Sequence, residues 1–112
     1  MKRVSTGLVL SMCLYVAVPA WAADGEDYTI NIKDHKFEPA QLYVPARKKV
    51  KVVVHNQDPT PEEFESFDLD REQEVDGGKQ INVYIGPLAP GTYGFFGDYN
   101  QKTAQGNIVV QK

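Results

Sequence analysis

Apolar and polar residues alternate along most of this chain with a period of two, and the period-two windows are short. Tyr28, Ile30 and Ile32 share one face of "DYTINIK", and Leu42 and Val44 share one face of "QLYV". "VKVVVHN" is the clearest window: Val50, Val52 and Val54 face one way, Lys51, Val53 and His55 the other. Ile81, Val83 and Ile85 repeat the pattern in "QINVYI", Tyr93 and Phe95 in "TYGFF", and Ile108 and Val110 in "GNIVVQ". Each window predicts a half-buried strand, because successive strand side chains point to opposite sides of a sheet.

Turn chemistry separates the windows. Pro39 breaks "HKFEPA", two prolines stiffen "QDPTP", Gly77-Gly78 marks a turn, and "GPLAPG" makes another. No window carries a 3.6-residue apolar period long enough for a core helix, so the expectation is an all-β Greek-key sandwich of about seven strands. There is no internal repeat, low-complexity tract or second domain.

The N-terminal stretch reads differently. Lys2 and Arg3 precede the apolar run "VSTGLVLSMCLYVAVPA", and Ala20, Trp21, Ala22 form a small-x-small cleavage pattern. Residues 1–22 are expected to be a secretory signal and residues 23–112 the working domain. A retained membrane anchor is the alternative, but Ser5, Thr6, Ser11 and Pro19 interrupt a run already short of the roughly 20 residues a span needs. Cys13, the only cysteine, follows Met12 and lies within the apolar run rather than closing it, which argues against lipidation. The working domain then has no cysteine and no disulfide, and stands to gain from a compact core or a bound metal.

Removing Lys2 and Arg3 takes the formal charge from −3 to −5. That balance speaks against nucleic acid or anionic lipid as a partner and leaves room for cations. Enzyme signatures are missing: there is no placeable Ser-His-Asp or Cys-His set, no phosphate-cradling glycine loop, and only two histidines. An EF-hand counted from Asp68 would put Gln73 and Lys79 at positions that need Gly and Glu, so the run Asp68, Asp70, Glu72, Glu74, Asp76 is expected to be a charged surface loop.

"VVVHNQDPTPEEFES" and "GTYGFFGDYNQKTAQGNIVV" resemble the two signature segments of cupredoxins. In that register Asn56, Asp58 and Pro61 match the first segment and Glu62 stands where the first ligand His would be. Gly91, Tyr93 and Phe95 match the second, with Gly97 at the Cys position, Asn100 at the His position and Gln105 at the axial position. A blue copper centre needs one thiolate and two imidazoles, so none is expected here. More narrowly, "IKDHKFEPAQLYVPARKKVKVVV", "DPTPEEFESFDLDRE" and "YIGPLAPGTYGFFGDYNQKTAQGNIVV" are similar to small periplasmic cupredoxin-like proteins related to the cupredoxin domain of EfeO. That resemblance implies a periplasmic accessory of an iron permease of the Ftr/Efe type, with no membrane insertion after signal removal. It further implies handling of copper or iron, with assistance to ferrous iron oxidation or delivery. The pattern also carries His at the positions of Phe67 and Asn100, so this chain is short of imidazole.

The metal site implied by the resemblance combines His35 with Glu62, Glu63 or Glu65, a carboxylate and imidazole set suited to divalent copper or iron. Period two puts Glu63 and Glu65 on one face and Glu62 with Phe64 on the other, unless a bulge intervenes; the position of Phe67 suggests such a bulge. A solvated, aggregation-resistant edge accounts equally for the three glutamates. Asp98 and Asn100 offer oxygen donors from the opposite side, or simply turn chemistry, and Gln105 offers an axial donor. A metal-free interaction module that has lost its copper site is the competing reading.

Overall fold

A computed structural model describes residues 28–112; residues 1–22, expected to be a secretory signal, lie outside them, Cys13 included. Among the described residues nine strands form in chain order: β1 (Tyr28–Lys33), β2 (Lys36–Glu38), β3 (Gln41–Pro45), β4 (Val50–Asn56), β5 (Glu62–Ser66), β6 (Arg71–Val75), β7 (Gln80–Ile85), β8 (Gly91–Gly97) and β9 (Gln105–Gln111). A short 3-10 turn, Asp98–Asn100, links β8 towards β9. One sheet runs β3-β9-β8-β5-β6 and the other β2-β1-β4-β7. The β1–β4 and β3–β9 pairs are parallel and the rest antiparallel, so the chain crosses repeatedly between layers.

The all-β sandwich is as expected, with nine strands among the described residues where about seven are expected. β2 is three residues long and hides inside the proline break. β6 is an edge strand exposed along all but Val75, so it has no apolar alternation to read. The segment expected as a charged loop is therefore partly a strand.

Both sheets send their apolar positions inward: Ile30, Ile32, Val52, Val54, Val83 and Ile85 from one, Leu42, Val44, Phe64, Phe95, Ile108 and Val110 from the other. Phe37 reaches across from β2 and stands edge-on to Phe95 at 4.9 Å and to Phe64 at 6.1 Å between ring centroids. Edge-to-face packing aligns a positive ring edge with a negative face, and each buried ring adds about 1.5–3 kcal/mol of burial. This trio fixes the height of β5 and β8, the strands that carry the candidate ligands.

At the end of the sandwich where β1, β4, β5 and β8 meet their loops, two buried polar residues tie the connections together. The side-chain amide of Asn56 donates to the carbonyls of Thr60 at 2.8 Å and Val75 at 3.2 Å, and its oxygen accepts from Asp58 N at 3.0 Å. The Asp58 carboxylate accepts from Asp34 N at 2.8 Å and His35 N at 3.0 Å. Asp34 (φ 55) and His35 (φ 60) both sit in the left-handed region, forming the two-residue turn between β1 and β2 without the glycine such turns favour. Burial pushes the Asp58 carboxyl up, but these two N–H donors and the nearby His35 and Lys33 outweigh it and hold the group below its ordinary value.

Replacing Asp58 with Ala orphans two N–H groups in a strained turn. We expect a loss of about 2–4 kcal/mol in urea unfolding, and a smaller loss for Asp58→Asn, whose amide oxygen keeps one acceptor. Equal midpoints for the three proteins would show that the turn does not depend on this carboxylate.

Candidate functional site

The β5–β6 ladder is unbroken from Glu62↔Val75 to Ser66↔Arg71, so no bulge interrupts it. Phe67 leaves the parity because the strand has already ended at Ser66: it opens the turn to β6 and is 78% exposed. Regular alternation therefore divides the acidic residues. Glu62, Phe64 and Ser66 point inward, and Glu63 and Glu65 point outward.

Glu62 is 1% exposed. Its Oε1 accepts from Glu63 N at 2.9 Å and Tyr99 N at 2.9 Å, and its Oε2 accepts from Asn100 Nδ2 at 2.8 Å. Three N–H donors thus compensate the buried carboxylate, as burial of a charge requires. Opposite them Gly97 is a necessity of space: a Cβ there would lie 2.6 Å from Glu62 Cδ and 2.7 Å from the buried Ala104 Cβ. The positions matched to copper ligands are thus a carboxylate and an amide hydrogen-bonded to each other, with a bare backbone packed against that carboxylate. This donor set does not fit a type 1 copper centre, which draws on thiolate and imidazole.

The outward residues assemble differently. Glu65 faces Glu72 across the ladder and Glu63 faces Glu74. One carboxylate oxygen from each of Glu63, Glu65 and Glu72 lies within 4.8 Å of the others, the one group of three or more acidic, His or Cys side chains so placed among the described residues. Asp98 stands beside them from the 3-10 turn, its oxygen also held by Gln101 Nε2 at 2.8 Å. Desolvation, the charge of Glu72 and the neighbouring Asp98 together raise Glu63 from the ordinary 4.5 to about 7. Glu65 is raised by desolvation and by Glu72 and Asp98. The Tyr99 phenol is also raised, by desolvation and by Glu74 and Glu63.

The seven residues singled out from the sequence thus fall into four places. Glu62 and Asn100 meet in the interior. Glu63, Glu65 and Asp98 meet on the outer face. Gln105 opens β9 with its side chain on that same outer side, opposite Phe96, donating to Gln101 O at 2.8 Å. His35 is exposed at the β1–β2 turn and joins no metal-sized group of three or more among the described residues, though its backbone is clamped by Asp58 at the same end of the sandwich. Glu72 is the site residue that sequence reading passed over. Its signal was present: folding "EEFES" against "REQEV" about the four-residue turn between them puts 65 opposite 72 and 63 opposite 74.

A model of the cupredoxin-like domain matches residues 7–110. The chain belongs to the cupredoxin-like domain family. This cupredoxin-like chain is also 45% identical over 111 residues to an uncharacterised protein of Rickettsia prowazekii (strain Madrid E), covering 92% of this chain and 89% of that protein. Among solved structures it is similar to auracyanin A, a "blue" copper protein from Chloroflexus aurantiacus, with TM-score 0.67 and 15% identity over 77% of this chain and 98% of that one. It is likewise similar to a purple cupredoxin from Nitrosopumilus maritimus, with TM-score 0.61 and 18% identity over 76% of this chain and all (100%) of that one. A third is the metal-binding domain of the Cu(I)-exporting ATPase CopA of Streptococcus pneumoniae, with TM-score 0.68 and 14% identity over 77% and 85%. At these identities the likeness is one of fold.

Adjacent residues of β5 should respond oppositely to the same change. Glu62→Gln sets a side-chain N–H₂ against N–H donors and is expected to cost about 2–3 kcal/mol in thermal or urea unfolding.

Glu63→Gln should stabilise the domain at pH 8. The raised pKa of Glu63 means that its contribution is present in full below 4.5 and is lost as pH rises through about 7. The wild type should therefore melt at lower temperature at pH 8 than at pH 5, and Glu63→Gln should flatten that slope. Asp58, with its lowered value, acts in the opposite sense but only below its ordinary 3.8, outside this window. A melting temperature independent of pH between 5 and 8 would contradict the crowding of charge on this face.

Proposed function

We propose that this cupredoxin-like chain is a periplasmic accessory of an iron uptake system. In this reading it holds iron or divalent copper on the outer carboxylates Glu63, Glu65 and Glu72, with Asp98 alongside, rather than at the interior positions of Glu62, Gly97 and Asn100. The observation that carries the reading is the convergence of three carboxylate oxygens within 4.8 Å. Such a group offers hard, anionic donors, which favour a hard cation over monovalent copper.

A metal ion here is cargo or substrate. Carboxylates on an exposed strand face can take it up and release it without unfolding the domain. Their negative charge stabilises ferric more than ferrous iron, which is the sense needed for an external oxidant such as dioxygen to take the electron before delivery to a permease. Because Glu63, raised to about 7, is partly protonated near neutrality, binding should release that share of the proton and strengthen as pH rises. Export by the N-terminal signal and the EfeO-type resemblance supply the iron permease context. A second reading, a metal-free interaction module, draws on the closed Glu62–Asn100 pair, which leaves the ancestral ligand positions satisfied without an ion.

Calorimetric titration with Fe(II) under anaerobic conditions, and with Cu(II), separates these readings. Stoichiometric binding that is lost in Glu63→Gln/Glu65→Gln and kept in His35→Ala supports the outer site. Binding lost in His35→Ala and kept in the glutamate variant would move the site to the β1–β2 turn. No binding of either ion would leave the interaction module.

A further inference from the structure

Beside the carboxylates, the outer face of the five-stranded sheet carries a groove of about 760 Å³. Gly94 of β8 leaves its floor bare: a Cβ there would find only Asn107 Oδ1 and Asp68 Oδ2, both at 3.7 Å. Phe67 and Phe96 form one wall, their rings 5.4 Å apart, and Gln101 and Gln105 rim the other side. Phe67 is 78% exposed, an apolar ring that the domain's own core does not use.

Charge on this face has one sign. Its outward-facing strand positions include Glu63, Glu65, Glu72 and Glu74 and no Lys or Arg among the described residues. Asp68 adds a carboxylate at the groove itself, where it accepts from Gly94 N at 2.9 Å. The register aligns Gln105, Phe96, Glu65 and Glu72 in one row across four strands, a span of about 14 Å at ordinary strand spacing. That length exceeds one side chain and suits a peptide segment.

We propose that this face docks a basic segment of a protein partner, one apolar side chain seated over Gly94 against Phe67 and Phe96, with flanking Lys or Arg on Glu65, Glu72 and Asp68. The apolar anchor supplies affinity in a desolvated pocket, and the carboxylates steer the encounter and set orientation. The groove lining includes none of the three carboxylates of the proposed metal group; the docked segment would reach two of them, Glu65 and Glu72, and the docking does not require a bound ion.

The test uses the intact protein in EDTA and a fluorescent peptide, Gly-Lys-Lys-Leu-Arg-Lys-Gly, with a glutamate counterpart as control. Anisotropy should show saturable binding of the basic peptide alone, weakening as salt rises from about 0.01 M to about 0.15 M. Amide shifts should map to residues 63–68, 94–96 and 105–107. Phe67→Ala, at an exposed position that leaves folding intact, and Gly94→Leu, which fills the groove while keeping every charge, should each weaken binding at least about tenfold. The proposal is overturned by absence of saturable binding, by equal binding of the acidic peptide, by shifts mapping elsewhere, or by affinity unchanged in both variants. Sedimentation showing that the protein self-associates through this face, with the same variants restoring a monomer, would also overturn it in favour of a second copy as the occupant.

Discussion

The two-residue period of β5 governs everything else at this end of the molecule. Because the strand is regular from Glu62 to Ser66, neighbouring glutamates in "PEEFES" are sent to opposite sides of one sheet. One enters the sandwich, where it must be fully compensated, and the next faces water and its own kind. A single-residue slip would exchange these environments, exposing Phe64 and burying two carboxylates with no donors. The edge-to-face contacts of Phe37 with Phe64 and Phe95 oppose any such slip, since they fix Phe64 inward.

The interior carboxylate and the bare backbone at 97 are two halves of one arrangement. Glu62 fits only because residue 97 has no side chain, and Gly97 leaves no void only because the Glu62 carboxylate fills the space. Around it the N–H groups of Glu63 and Tyr99 and the amide of Asn100 are aimed inward, where a cation would be repelled by the donors and a neutral side chain would leave them unpaired. The cupredoxin frame survives here with an anion and its donors at its centre, and metal chemistry, where proposed, is displaced to the exposed side of the same strand.

Much of the fold was legible because six windows carry apolar alternation, and every one of them is a strand with those residues inward. β2 and β6 were not legible for a physical reason: a three-residue strand is too short to show a period, and an edge strand that buries one residue has none to show. The sequence also separated Glu62 from Glu63 and Glu65, yet the suspicion of a bulge at Phe67 treated a turn residue as part of the strand. Glu72 was hidden because acidic spacing was tested against a calcium loop and not against hairpin register. The clamp on His35 could not be read at all, since it depends on Asp58, 23 residues away, meeting the turn in space.

The acidic face has a thermodynamic logic of its own. Like charges on adjacent strands oppose the pairing that holds β6 to β5, and the proton affinity of Glu63 and Glu65, raised first by desolvation and then by Glu72 and Asp98, reflects that opposition in part. A rigid core beneath lets the sheet tolerate the repulsion, so the face keeps a standing affinity for positive charge. A hard cation and a basic segment relieve the same repulsion and draw on Glu65 and Glu72 in common. On the readings proposed above, occupancy by an ion must therefore weaken attraction for the segment, and the segment must weaken attraction for the ion by the same factor. Delivery would follow from that reciprocity: a domain arriving loaded at a basic partner surface would release its ion because docking replaces the charge that held it.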